Sequence, residues 1–233
     1  MPKKIAIMQP YFFPYIGYWQ LINAVDKYVV YDDVNYIKGG WINRNNILLN
    51  GAKHLITLPL EEASSFKLIN EISITKNEVL KNKLIKTIKS AYLKAPYYET
   101  IMPIIEALIL DNINIAMLNY NIILTVKNYL KINTEILLSS QIKKDNELTA
   151  QDKVIHIAHI LGATEYINAI GGQELYSKDD FSKENIKLSF LKTGNIKYTQ
   201  FKNEFVPYLS FIDILMFNSP EQIKEMLNDF ELL

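Results

Sequence analysis

The chain contains no cysteine, which excludes a disulfide framework, a thiolate zinc site and a cysteine nucleophile. It has no net charge either: 25 basic and 25 acidic side chains cancel. No global field therefore draws it to nucleic acid or to an anionic membrane, and composition gives nucleic-acid binding no support. No stretch of about 18 residues is free of charged or strongly polar groups, so no membrane span is expected. The first residues, Met-Pro-Lys-Lys-Ile-Ala-Ile-Met, read as the start of a strand rather than a secretion signal, because they lack the apolar segment and the small-residue cleavage pattern. A cytoplasmic location is the expectation. Internal repeats and low-complexity linkers are also missing.

Arginine is almost absent. Of the 25 basic residues one is arginine, Arg44, and the rest are lysine, in a chain rich in Ile, Asn and Lys as expected of an AT-rich genome. Lysine serves where a plain positive charge suffices. A planar fork that grips carboxylate or phosphate through two parallel hydrogen bonds needs arginine. Arg44 is thus a candidate anion anchor; a structural ion pair is the competing reading. The two tryptophans, Trp19 and Trp41, lie in the same early stretch. Trp lines ligand sites as well as cores, and beside Arg44 and a cluster of Asp and Asn the balance moves toward a pocket.

At 233 residues, 49% of them hydrophobic, the chain can bury a sizeable core in one large domain. Lys3–Gln9 reads as a buried strand. Pro10 and Pro14 force an extended loop, Tyr15–Val25 is predicted helical, and Lys27–Tyr31 is a second strand ending at Asp32-Asp33. Strand, loop, helix and strand within about 30 residues make a βαβ unit with a parallel sheet. Asn46–Leu49 and Lys53–Leu58 flank Asn50-Gly51, the signature of a type I′ hairpin, and Glu71–Ile74 reads as a further strand. Helices are predicted at Glu78–Leu93, Tyr98–Leu110 and Asn114–Tyr129, a stretch that suits an inserted helical subdomain over about 76–133. Strands follow at Thr134–Ser139, Glu165–Ala169 and Ile186–Leu191, with helices at Ala150–Leu161, Tyr208–Phe217 and Pro220–Leu227. The fold class expected is α/β: a parallel-containing sheet with an N-terminal βαβ unit, an antiparallel hairpin and a mostly helical middle. In such sheets ligand loops gather beyond the carboxyl ends of the strands.

Four places suit chemistry. The first is the loop after strand one, with Gln9, Tyr11, Tyr15, Gly17 and Tyr18. Its aromatics suit stacking on a base or sugar, Gly17 permits close approach, and the Gln9 amide offers donors and acceptors; an aromatic mini-core around a proline turn is the alternative. The second is Asp32-Asp33 with Tyr36 and Lys38: carboxylates at a strand end serve as general base, bind hydroxyls or hold a cation. The third is Trp41-Ile42-Asn43-Arg44-Asn45-Asn46, whose Trp41, Asn43, Arg44 and Asn45, with Asn46 as the third amide, suit an anionic, hydroxyl-rich ligand. The fourth is Gly171-Gly172 after a predicted strand, a phosphate cradle or a plain turn. The histidines show no metal pattern: His156 and His159 share a helix with apolar neighbours, and His54 falls in the hairpin. No metal ligand set, nucleophilic triad or Walker-type loop stands out. Ser210 and Asp213 are placed to reach the site from the C-terminal side.

Together these motifs resemble the WbqC-like protein family. The matching pieces are residues 9–19 (QPYFFPYIGYW), 32–38 (DDVNYIK), 41–45 (WINRN), 95–98 (APYY), Gly171-Gly172 and 205–210 (FVPYLS). The resemblance implies a place in bacterial O-antigen or capsule pathways and transfer of glycine or a related acyl group to an amino sugar. Many relatives carry His before the Gln of the first motif. This chain has Met8, so a mechanism that needs that His does not apply. More loosely, Tyr15-Ile16-Gly17-Tyr18 is similar to the His-x-Gly-His turn of nucleotidyltransferases, with Tyr at both His positions.

The leading expectation is an aminoacyl- or acyltransferase acting on a nucleotide-linked amino sugar, with Asp32 or Asp33 accepting the amine proton, Arg44, Lys38 and the 171–172 loop on phosphates, and the aromatics of 11–19 on the base or sugar. No motif identifies the acyl donor or a cofactor. A nucleotide-dependent ligase or nucleotidyltransferase and a non-catalytic binding protein of the same pathway are the alternatives.

Overall fold

A computed structural model describes residues 3–111, 113–202 and 204–233; Met1 and Pro2 of the N-terminal reading lie outside it. Strand β1 (Lys4–Met8) leads through the proline loop into helix α1 (Ile16–Asn23) and strand β2 (Lys27–Val30). Hairpin strands β3 (Arg44–Leu49) and β4 (Ala52–Thr57) follow, then helices α2 (Glu78–Tyr92), α3 (Tyr98–Leu110) and α4 (Ile115–Leu130). Strand β5 (Glu135–Leu138), helix α5 (Ala150–Ile160), strand β6 (Glu165–Ala169), helix α6 (Lys178–Lys183) and strand β7 (Lys187–Thr193) come next. Helices α7 (Phe211–Phe217) and α8 (Pro220–Leu227) precede the short strand β8 (Phe230–Leu232).

Local chemistry sets these boundaries. Asn77 and Asn114 cap α2 and α4 by accepting from backbone N–H groups of the first turn. Helix α8 opens with Ser219, Pro220 at its first position and a reciprocal bond with Gln222. The hairpin turns at Asn50 (φ 53°) and Gly51 (φ 76°), both left-handed as a type I′ turn requires. Helix α7 starts at Phe211 rather than at Tyr208, because Tyr208 is left-handed (φ 58°) and Ser210 caps the helix. The strand expected at Glu71–Ile74 does not form a ladder. Ile69–Glu71 is one 3-10 turn, and Ser73 and Ile74 make single bridges to different partners, Asn114 and Leu60.

The main sheet runs in the order β5-β2-β1-β6-β7-β8, parallel except for the antiparallel edge strand β8, and β3-β4 form a separate antiparallel pair. Both faces of the sheet are covered. One buries Ala6, Tyr28, Val30, Ile167 and Leu191 in a core shared with α1, α7, α8 and the helices of the middle region. The other buries Ile5, Ile7, Val29, Tyr166, Leu188 and Phe190 against Val154, Ile157 and Ala158 of α5 and Phe181 of α6. Each fully buried Leu, Ile or Phe contributes about 1.5–3 kcal/mol. No helix among the described residues is long and apolar enough to cross a membrane.

The strand order fixes where a site belongs. From β1 the chain builds outward to β2 and β5, then returns to place β6 on the other side of β1. The connections before and after that return leave in opposite directions, so a crevice opens beyond the carboxyl ends of β1 and β6.

Candidate functional site

The loop that leaves β1 is held by an unusually complete set of hydrogen bonds to its carbonyls. The Tyr18 hydroxyl donates to the Gln9 carbonyl (3.0 Å), and the Asn119 amide, from α4, donates to those of Pro10 (3.0 Å) and Ile42 (2.8 Å). The Asn45 amide donates to the Phe12 and Phe13 carbonyls (3.0 and 2.8 Å), and the Ser210 hydroxyl also donates to Phe13 (2.8 Å). The Trp19 indole donates to the Pro14 carbonyl (3.1 Å). Buried carbonyls left bare would each be costly. Satisfied from four separate elements, they make the loop a rigid cradle. Phe13 is left-handed there (φ 41°), a conformation unfavourable for a bulky residue and maintained by these contacts.

The cradle encloses a cavity of about 200 Å³ at the strand-order reversal, bounded below by Met8 and Ala169, the last residues of β1 and β6. Its walls are mostly carbon: Pro14, Leu21 and the rings of Tyr11, Tyr15, Tyr18 and Tyr208, with Trp41 and Asn45 completing them. Tyr11 and Tyr18 are tilted against each other with centroids 5.6 Å apart. Burial raises the pKa of both phenols, so both are neutral hydrogen-bonding groups near pH 7. Gly17 lets this packing close: a Cβ there would lie 2.4 Å from the Tyr15 hydroxyl and 2.5 Å from Thr193 Oγ1. Beyond Tyr15 and Tyr208 lies a second chamber of about 490 Å³, at the end of β7.

The two aspartates at the end of β2 have different surroundings. Asp32 is buried and saturated, accepting from the Ser140 N–H (2.9 Å), the Ser140 hydroxyl (2.6 Å) and, more weakly, the Asn70 amide (3.4 Å). It pins three chain segments together. Asp33 instead pairs with Lys144, whose side chain is 2% exposed, and Lys144 also donates to the Ser139 carbonyl. The other Asp33 oxygen and the Ser139 hydroxyl are buried without a hydrogen-bond partner among the described residues. A neighbouring phenol, Tyr31, is pushed up to about 12 by burial, by the Asp33 carboxylate and by Tyr176. Tyr176 also adds to the upward shift of Tyr11, and Tyr11, Tyr31 and Tyr176 all follow the carboxyl ends of neighbouring strands, β1, β2 and β6.

The other sequence candidates hold the frame. Arg44 donates to the carbonyls of Gly40 (3.1 Å) and Gly39, with its guanidinium 6.0 Å from the ring of the half-exposed Trp41, so its fork folds back on its own loop. The Tyr36 hydroxyl donates to Asn43, which donates to the Leu58 carbonyl; both side chains are buried. Burial raises the Tyr36 pKa, and Arg44 partly offsets this. Lys38 is exposed on the loop rim, and Gln9 is partly buried at the end of β1. A Cβ on Gly172 would come within 2.8 Å of the Asn168 amide, whereas one on Gly171 would meet nothing within 4 Å. Asp213 is buried and accepts from Tyr92 (2.8 Å), Tyr198 (2.6 Å) and Gln200 (2.6 Å); burial raises its pKa. His156 accepts from the Asp145 N–H and His159 contacts Glu184. No group of His, Asp or Glu among the described residues could hold a metal ion.

Sequence reasoning brought Tyr11, Tyr15, Tyr18, Trp41 and Asn45 to one cavity and missed Met8, Leu21, Ala169 and Tyr208. It also missed Lys144 and Ser139, which a lysine pair and a serine pair after a strand do not distinguish from surface residues. Asn119 had no visible signal inside a helix.

The chain matches the WbqC-like protein family over residues 9–225 and therefore belongs to that family. It is 26% identical over 217 residues to the uncharacterized protein Rv1507c of Mycobacterium tuberculosis, an alignment covering 91% of this chain and 93% of that protein. No solved structure matches it.

Proposed function

We propose that this member of the WbqC-like family is an aminoacyl- or acyltransferase that acts in the cytoplasm on a nucleotide-linked amino sugar of O-antigen or capsule biosynthesis. The observation that carries this reading is the aromatic cavity at the carboxyl ends of β1 and β6, pre-formed by the bonded loop 9–15. Aromatic walls suit a ring ligand, and a site built on fixed carbonyls loses little entropy on binding.

Asp33 is the proton acceptor in this reading. The oxygens of Asp32 are taken by Ser140 and Asn70, while one Asp33 oxygen is unpartnered. The sugar amine attacks the acyl carbon of an activated donor. A C–N bond forms, the bond from that carbon to the leaving group breaks, the leaving group departs with the electron pair, and the surplus amine proton passes to Asp33. Lys144 holds the carboxylate in place, and the Asp33 side chain, 13% exposed, is not sealed from solvent.

A ligase or nucleotidyltransferase would need charge from its turn. Here Tyr18, at the second His position, is buried and donates to the Gln9 carbonyl. Thermal shift with nucleotide amino sugars and ATP separates the readings, since a ligand of the native state raises Tm. Stabilisation by an amino-sugar nucleotide, with acylation lost and binding kept in Asp33→Asn, supports the transferase. Stabilisation by ATP alone supports the ligase. Binding without acylation from any thioester or ester donor supports a non-catalytic role.

A further inference from the structure

The chamber of about 490 Å³ beyond Tyr15 and Tyr208 differs in chemistry from the aromatic cavity it adjoins. Thr193, Asn195, Lys197 and Tyr198 line it with two hydroxyls, an amide and an amine, and no lining residue among those described is acidic. Lys197 is exposed, makes no ion pair among the described residues, and stands between this chamber and an outer groove over α8. The Lys53 ammonium sits 5.3 Å from the ring of Tyr208. Among the described residues Lys197 is the cation that lines this chamber, which has no lining carboxylate; Glu225 and Asp229 line the outer groove on its other side.

The chamber wall is pre-set. Tyr198 donates to the buried Asp213 carboxylate, and Gln200, bonded to the same carboxylate, exchanges hydrogen bonds with both the N–H and the carbonyl of Val206. That network fastens Tyr198, Gln200 and Val206 to α7. Tyr208, 76% exposed and left-handed, lines both chambers. Strained bulky residues of this kind collect at ligand clamps. A large exposed ring in a strained backbone contributes little to a core.

We infer that this chamber is an anion subsite: it takes the phosphate-bearing part of a ligand whose flat ring occupies the aromatic cavity, with the Lys197 ammonium, the Thr193 hydroxyl and the Asn195 amide as donors and Tyr15 and Tyr208 as the shared wall. The choice of a nucleotide-linked sugar as that ligand rests on the proposed function; the anion subsite itself does not. Charge-assisted hydrogen bonds to phosphate oxygens supply the affinity, and exposed lysines make it fall with ionic strength.

The test is calorimetry and thermal shift on the full chain with inorganic pyrophosphate, uridine, UDP and UDP-N-acetylglucosamine as probes. Pyrophosphate is expected to bind and to raise Tm, and Lys197→Gln is expected to weaken it about tenfold, the loss that goes with one charged hydrogen bond. Lys89→Gln, on α2 and paired with Glu106, is the control that leaves binding intact. Failure of pyrophosphate and UDP to bind, uridine binding as tightly as UDP, or equal affinity in Lys197→Gln would each overturn the subsite. Pyrophosphate binding that Lys197→Gln weakens, without acylation of any amino-sugar nucleotide, keeps the subsite and sinks the transferase reading. Acylation that is indifferent to Lys197→Gln does the reverse.

Discussion

Lys144→Met should be among the most destabilising single changes in this protein, and the matching change at Asp33 should cancel most of it. The Lys144 side chain is 2% exposed and that of Asp33 13%, so water screens the pair little. Removing one member of a buried pair strands the other charge in a dry site, which costs about 3–5 kcal/mol. In a chain of this size each kcal/mol moves Tm by about 2–4 °C, so the single variant should melt roughly 6–20 °C lower. In Asp33→Leu with Lys144→Met no charge remains to strand, and the unpartnered Asp33 oxygen disappears as well. Paired apolar replacements of this kind are commonly neutral or stabilising. The double variant should therefore unfold within about 1 kcal/mol of the native chain and show no acyl transfer. Urea unfolding of the native chain, both singles and the double gives the coupling energy directly. A double variant as unstable as Lys144→Met would refute the reasoning, because the pair would then be holding the fold together rather than being retained at a cost to it.

Three further outcomes are expected. Gly17→Ala should displace the end of the exposed Tyr15 ring and the Thr193 hydroxyl and cost no more than about 1 kcal/mol, because both can move and Ala favours the helix, while Gly171→Ala, facing open space, should stay within about 0.5 kcal/mol in the same urea titration. Asp213 has a raised pKa when folded, so the folded state holds its proton more tightly than the unfolded chain does. Its contribution is fully present below the ordinary value of 3.8 and is lost as pH rises through the folded value; the stability of the native chain relative to Asp213→Asn should fall as pH climbs from 4, and a pH-independent gap would contradict this. Arg44→Lys should loosen the 39–41 loop by about 1 kcal/mol, because an ammonium cannot reproduce the fork on two carbonyls; hydrogen exchange at Gly40 and Trp41 reads it.

The parts of the fold that were legible carry their own punctuation. The βαβ start, Asn50-Gly51, and the Ser219-Pro220 helix entry all announce local geometry that tertiary contacts do not override. The six-residue α6 and three-residue β8 were invisible because neither is long enough to show a period; β8 exists by adding to the edge of β7. At the site, composition pointed to the correct neighbourhood but not to the division of labour. Asp32 and Asp33 are adjacent and identical in sequence, yet their roles are set by Ser140, Asn70 and Lys144, which arrive from far along the chain. The scarcity of arginine singled out Arg44, but scarcity does not reveal which acceptors lie within reach, and those are the carbonyls of its own loop. Tyr208, 76% exposed, gave no signal of lining a cavity that β1 begins.

The most direct test of the central claim uses the two tryptophans as internal reporters. Trp41 lines the aromatic cavity and is 45% exposed, whereas Trp19 is fully buried beneath the loop and stacked on Phe211. Titration with an amino-sugar nucleotide should change tryptophan emission saturably, and Trp41→Phe should abolish that change while Trp19 emission stays constant. Binding that leaves emission unaltered, or a change that survives in Trp41→Phe, would place the ligand elsewhere and contradict the assignment of this cavity.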